Sequence, residues 1–482
     1  MNRFLTVMLG FCTGIFLGGC YSYPKPPVAT EGSSFLNRKI DKSDDLLRDI
    51  RMLTLEDAQR IAVANNPNYI SVYHAVNAAR MRYYQALGAW SPTVTASFEL
   101  SDSNSWTYSN WEAQHGSSYL GDFNTSTTVK ANWVVFNGFA RLLDTKIASV
   151  KFDYQKAIDE DTCRQLIFSV AQAYDNILLA QEQKVIAETN MRFQIECLRE
   201  TELKHQVGTA ALSEVLNFRI QANKAETDYV KADYSYQTAV FALSALMGYP
   251  DGKLPGGIMF PKISSKFADR LDTVEVYLDT ALANRPDLRS YRELSKVADY
   301  TYLRSFSTYY PTVSVYTHFR FTTQNKRYHG DEQCDKYYVP RFTYGFNAEW
   351  LLFDGFTRYN KVREAKANLA TAQFNVANKW LSVVSEVRSA YARYEYCVRT
   401  AQICEKTLAD SVAQRDLVAK EYEAGNIGIT RLNEVQKDLV SAQTTLANAY
   451  VEIHTTKYQL DSVTGQNIVG FYTDADTRYK AQ

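Results

Sequence analysis

The chain has 482 residues with 53 basic and 53 acidic side chains, so no charge excess points to nucleic acid and none to an acidic tail. Six histidines and seven cysteines lie scattered without metal-ligand spacing, and no glycine-rich phosphate loop or nucleophile–base arrangement is present. The sequence therefore gives no ground for an enzyme, a metal centre or a cofactor; the 34 tyrosines suit membrane-interface girdles and helix packing alike.

The first residues read as a leader. Arg3 precedes an apolar run from Phe4 to Phe16, too short for a comfortable transmembrane span, which ends in Leu17-Gly18-Gly19-Cys20. This resembles a bacterial lipobox, in which the cysteine carries the lipid. Residues 1–19 are expected to be a lipoprotein-type signal peptide, Cys20 the lipid attachment site, and 20–52, with Pro24, Pro26 and Pro27, a lipid-anchored arm. Cys397 and Cys404 are too far apart along one helix for a disulfide and read as packing residues.

The body of the chain is written twice. Thr54-Leu-Glu-Asp57 opens a helix, as a threonine cap with an acidic residue three positions on does, and the helix is expected to run to about Trp90, tolerating Pro67 or kinking there. After Ser91-Pro92 the period changes to two: Val94, Ala96, Phe98 and Leu100 alternate with polar residues, predicting a strand of about ten residues. A loop rich in Ser, Asn, Gly and Trp is expected to about Asn124, and a return strand places Val129, Ala131, Trp133 and Val135 on one face. Next comes Trp133-Val-Val-Phe136-Asn-Gly138-Phe-Ala-Arg141, then a run free of glycine and proline to Val207. That run predicts a helix of roughly 100 Å. Gly208-Thr209 reverses the chain into a second helix to about Met247, with a 3/4-spaced seam through Val215, Phe218, Ala222 and Ala225.

Residues 53–248 form this first repeat, 249–271 a linker rich in proline and glycine, 272–465 the second repeat and 466–482 a tail. The copy begins at Arg285-Pro286 and Tyr310-Pro311, each 219 positions after its counterpart, and continues with Trp350-Leu-Leu-Phe353-Asp-Gly355-Phe-Thr-Arg358, 217 after. The offset changes between the paired strands, so the first hairpin is two residues longer. The second long helix stops at Gly425-Asn426, and its seam includes Val383, Val387, Ala390, Tyr394, Cys397, Ala401 and Cys404.

Four amphipathic strands cannot close a membrane barrel alone, so several chains must contribute. On the duplicated order of helix, strand, loop, strand, Phe-Asx-Gly-Phe, long helix, glycine reversal and helix, residues 53–465 resemble the TolC-like outer-membrane efflux proteins, in their lipoprotein branch. The resemblance implies a mainly α fold with membrane β: a homotrimer with a twelve-stranded β-barrel continued by an α-helical, coiled-coil barrel through the periplasm. It implies a passive exit duct, anchored in outer-membrane lipid, for small molecules passed from an inner-membrane pump through a periplasmic adaptor, or membrane fusion protein. Gly208, Thr209, Gly425 and Asn426 would form the periplasmic tip where the adaptor docks. Glu434, nine residues after Gly425, matches an acidic pore-lining position; Arg431, six after, stands where the family has a second acid. Glu214 and Tyr422 fall where the family has its gating network. A protein-secretion or metal-efflux exit duct is the alternative within the class, and a lipid-anchored structural coiled coil the alternative outside it.

Overall fold

A computed structural model describes residues 51–109, 116–249, 252–254, 257–263, 271–328 and 335–472. The proposed signal peptide, Cys20 and nearly all of the arm lie outside the described residues. The first repeat comprises α1 (Leu55–Asn65), α2 (Pro67–Gly88), β1 (Thr93–Ser109), β2 (Gly116–Asn137), α3 (Ala140–Gln206) and α4 (Leu212–Leu246). The second comprises α5 (Val274–Asn284), α6 (Pro286–Ser305), β3 (Thr312–Tyr328), β4 (Asp335–Glu349), α7 (Thr357–Glu423) and α8 (Ile429–Thr464). Each of the two long helices has 67 residues.

The single helix expected from Thr54 to Trp90 is two. Thr54 caps α1 as expected, its hydroxyl accepting from the Asp57 amide at 3.2 Å. At Asn66 the backbone turns extended (ψ 119°), because the following proline cannot donate and disfavours a helical residue before it. The Asn66 side chain then caps α2 at the amides of Asn68 and Tyr69, and its Nδ2 donates to Leu246 O at 2.9 Å. Arg285 makes the equivalent tie in the second repeat, donating to Val463 O at 3.4 Å. Arg285 also pairs with Asp287 and Glu386, and Lys379 with Asp287 at 2.9 Å. Burial alone would raise the Asp287 pKa, but these cations outweigh it and hold the carboxyl well below its usual range.

The Trp-x-x-Phe-Asx-Gly-Phe-x-Arg signature builds the joint where a strand becomes a long helix. Trp133 donates to Trp90 O at 2.9 Å, and Trp350 to Tyr309 O at 3.1 Å. The Asn137 and Asp354 side chains accept from the amides of Arg141 and Arg358. Each arginine then donates to carbonyls on both sides of the joint: Arg141 to Ala89 and Val135, Arg358 to Thr308, Leu351 and Leu352. Each guanidinium also lies over an aromatic ring, Trp90 at 4.5 Å and Tyr309 at 5.0 Å. The chain turns through Gly138-Phe139 and Gly355-Phe356 with all four φ values near +64°. A phenylalanine there costs of order 1 kcal/mol, offset by its edge-to-face contact with Phe136 or Phe353.

The strands are longer than expected, 17, 22, 17 and 15 residues, and the Ser- and Asn-rich stretch placed in a loop is largely strand. Its composition is turn-like, but ladder hydrogen bonds continue through it, from Thr93↔Asn132 to Ser109↔Gly116. The two hairpins also pair with each other, making one antiparallel sheet in the order β1-β2-β3-β4. Register puts Val94 beside Ala131, Val129 beside Phe319 and Phe319 beside Phe342, so the alternating apolar sets fall on the same face, except that a bulge between Val134 and Phe136 takes Val135 out of the expected alternation and sets Phe136 opposite Val313. That face is open to solvent in the single chain: Phe98, Phe342 and Phe346 are all largely exposed. Among the described residues no helix is long and apolar enough to cross a membrane.

The helical cores follow the seams. Val383, Val387, Ala390, Tyr394, Cys397 and Ala401 are buried against α8 and α5, and Cys163 and Cys397 are buried and not disulfide-bonded. Gly248 and Gly465 end α4 and α8, the last helix of each repeat, at φ +81° and +75°. Each packs on a backbone carbonyl of the repeat's first helix: a Cβ at Gly248 would lie 2.6 Å from Asn65 O, which leaves no room for one, and a Cβ at Gly465 would lie a tight 3.1 Å from Asn284 O. The stretch after α8 folds back on α3, with Asn467 donating to Arg164 O and Tyr472 to Asp159.

The repeats meet along α3. Arg164 donates to Ser462 of α8, Arg289 of α6 pairs with Glu160, and Arg304 pairs with Asp144. Asp175 is buried here with the Thr455 hydroxyl as donor at 3.0 Å, and burial pushes its pKa up to about 7. Because the folded pKa exceeds the unfolded one, the stability it contributes is full below about pH 4 and lost as pH rises to about 7. Asp175→Asn should therefore melt close to the parent at pH 4. At pH 8 it should be more stable by roughly 2–4 kcal/mol, a difference read from paired thermal melts.

Candidate functional site

Both ends expected to form the periplasmic tip are tight helix reversals. At the first, the amides of Gly208 and Thr209 donate to His205 O and Lys204 O, each at 2.9 Å. At the second, Gly425 and Asn426 donate to Tyr422 O and Glu421 O at 3.0 and 2.9 Å. This pattern of crossed bonds satisfies the last free carbonyls of a helix and needs a left-handed residue at its centre. Gly208 (φ +83°) and Gly425 (φ +77°) supply it. Thr209 adds a side-chain bond to Lys204 O at 3.0 Å. Both reversals are exposed, and Val207 beside the first is 79 % exposed.

Tyr422 lies between the repeats. Its ring meets Phe218 of α4 edge-on, with centroids 6.5 Å apart, and Lys204 of α3 places its ammonium 5.6 Å from the ring centre. Its hydroxyl is hydrogen-bonded with Thr201. Burial, then the charge of Glu214, raises its pKa, so the phenol stays neutral across the physiological range. Glu214 stands in the first turn of α4, where the helix dipole favours a carboxylate.

Arg431 and Glu434 form an ion pair with each other at 2.7 Å, on one exposed face of α8. Arg431 occupies the position of Glu214 in the repeat, and Glu434 that of Asn217. Asn217 instead accepts from Asn433 at 3.3 Å, and Gln436 donates to Asn190 at 3.0 Å, tying α8 to the first repeat. Thr201, Lys204 and Phe218 were not assigned to this cluster from sequence. No spacing within one repeat reveals a contact between repeats.

A duplicated sheet-and-long-helix unit with a glycine-capped tip matches one known family. The outer membrane efflux protein family profile matches residues 59–249 and 277–466, and the chain belongs to that family. It is 24 % identical over 441 residues to the alkaline protease secretion protein AprF of Pseudomonas aeruginosa, covering 89 % of this chain and 85 % of that one. Its fold is similar to the outer-membrane channel OprN, with a TM-score of 0.72 at 17 % identity, covering 86 % of this chain and 90 % of that one. It is also similar to the Campylobacter jejuni CmeC outer membrane channel, with a TM-score of 0.71 at 16 % identity and 89 % and 88 % coverage.

Proposed function

We propose that three copies of this efflux-family chain close into one outer-membrane duct that receives cargo at its glycine-capped tip. The observation that carries this reading is a mismatch between the repeats. Ala157 and Arg164 of α3 are 0 % and 8 % exposed against the second repeat, whereas their equivalents on α7, Phe374 and Leu381, are 76 % and 67 % exposed. The face that α3 buries on α6 is bared on α7, and the equivalent of α6, namely α2, carries an exposed Ile70 in place of Arg289. A second copy offering its α2 to α7 would repeat the internal interface between chains. The sheet supports the same closure, since β1 and β4 are unpaired edges that lipid cannot satisfy.

In this reading Cys20 carries a lipid that tethers the arm to the outer membrane; acyl labelling lost in Cys20→Ser is its check. Gly208, Thr209, Gly425 and Asn426 meet a periplasmic adaptor fed by an inner-membrane pump, and exposed Leu203, Val207 and Leu212 give the first tip an apolar surface for that partner. Similarity to AprF favours a second cargo within the class, a secreted protein, read out by which partner pump co-purifies.

Arg431 and Glu434 line the constriction, and their pairing partly neutralises the carboxylate. Glu434→Gln should lower the cation preference of the duct, and Arg431→Ala, by freeing the carboxylate, should raise it. Reversal potentials of single channels under a salt gradient check both; no movement in either variant would remove the pair from the pore.

A further inference from the structure

The face of the sheet opposite the apolar one carries a patch of positive charge that packing does not require. Arg320 on β3 stands directly opposite Arg341 on β4. One side-chain step nearer the helices, about 7 Å along the strand, Lys130 on β2 stands directly opposite His318 on β3. All four lie on the face that also holds Thr95, Ser97, Thr128 and Thr343. Among the described residues, none of the three cations forms an ion pair; Arg320 reaches only the Thr128 hydroxyl at 3.3 Å. The acid nearest in register is Glu99, one step toward the hairpin tips beside Ser126.

Like charges placed opposite each other across a ladder destabilise it. Lipid cannot be their environment, because the other face carries the apolar band. In a closed barrel they face the lumen, where three chains would set their Lys130, Arg320 and Arg341 into a collar two side-chain layers deep. A ring of cations within low-dielectric walls concentrates counter-ions.

Resting on the duct reading above, we propose that this collar is an anion-binding site in the barrel. It selects solutes bearing carboxylate, sulfonate or phosphate groups as they leave. Guanidinium pairs suit such cargo, since each can grip an oxyanion through two parallel hydrogen bonds.

The test uses the full-length protein in planar bilayers, with a potassium chloride gradient and then with citrate added to either side in turn. The parent and the variants Arg320→Gln/Arg341→Gln and Lys130→Gln are compared. The collar predicts that the chloride-to-potassium permeability ratio falls at least about threefold in the double variant and less in Lys130→Gln. It predicts that citrate blocks the parent current and that the double variant needs at least about tenfold more for the same block. Conducting variants with the parent's permeability ratio and citrate block would overturn the collar while leaving the duct intact. A parent that never conducts would overturn the duct, and the collar with it.

Discussion

Glutamate in place of Phe374 is expected to leave the chain folded and monomeric in detergent. Phe374 is 76 % exposed in the single chain, at the position where the first repeat holds fully buried Ala157. Nothing within the protomer requires the ring, so the substitution spares the helix. In the assembly each ring would be removed from water against the next chain's α2. That burial contributes about 2 kcal/mol for each phenylalanine, and a carboxylate without a partner in its place costs several kcal/mol more. Each of the three interfaces would weaken by roughly a thousandfold or more. Native mass spectrometry checks the outcome, with helical content by circular dichroism confirming that the monomer is folded; a trimer as abundant as the parent's would contradict the interface.

Alanine at Gly138 and at Gly355 should produce different failures, although the two glycines share one motif and one backbone conformation. Both have φ near +64°, so either substitution strains the turn by about 1 kcal/mol. At Gly138 an added Cβ would also lie 2.3 Å from Ser307 O and 2.9 Å from the Tyr310 Cβ, both anchored in the second repeat. Backbone has to move there, and the protomer should lose about 3 kcal/mol or more. At Gly355 nothing lies within 4 Å. The equivalents of Ser307 and Tyr310 are Gly88 and Ser91, which only a neighbouring copy could bring near. Gly355→Ala should therefore melt almost like the parent as a monomer but assemble poorly. Urea titration read by tryptophan fluorescence, with the trimer fraction measured alongside, separates the two.

Much of this architecture was legible in the sequence because the chain is written twice. The uninterrupted helices, the glycine reversals and the one-faced strands each announce themselves through a local period or a breaker, and the duplication repeats each of these signals at a second place. Local signals failed where long-range pairing decides. The Ser- and Asn-rich ends of β1 and β2 have the composition of a loop, yet cross-strand hydrogen bonds hold them extended. Asn66 looked like one more helical residue before a tolerated proline, but its side chain caps the next helix and ties it to Leu246. At the tip, the positions of Glu434, Arg431, Glu214 and Tyr422 came from the resemblance, while the company Tyr422 keeps with Phe218, Lys204 and Thr201 follows only from how the repeats pack. The facing arginines of the sheet were visible as residues, but only the register set them opposite each other.

The central claim is that the interface between the repeats recurs between chains. Within the chain Glu160 of α3 pairs with Arg289 of α6; the equivalent positions are Ala377 of α7 and Ile70 of α2. Cysteines placed at both Ile70 and Ala377 and bridged by a bis-maleimide of about 10 Å, close to the spacing between the axes of packed helices, should link neighbouring chains. Denaturing gels are predicted to show a ladder of two and three chains that stops at three, present only when both cysteines are introduced. A ladder running past three chains, or none at all in protein extracted from the membrane, would contradict the closed trimer.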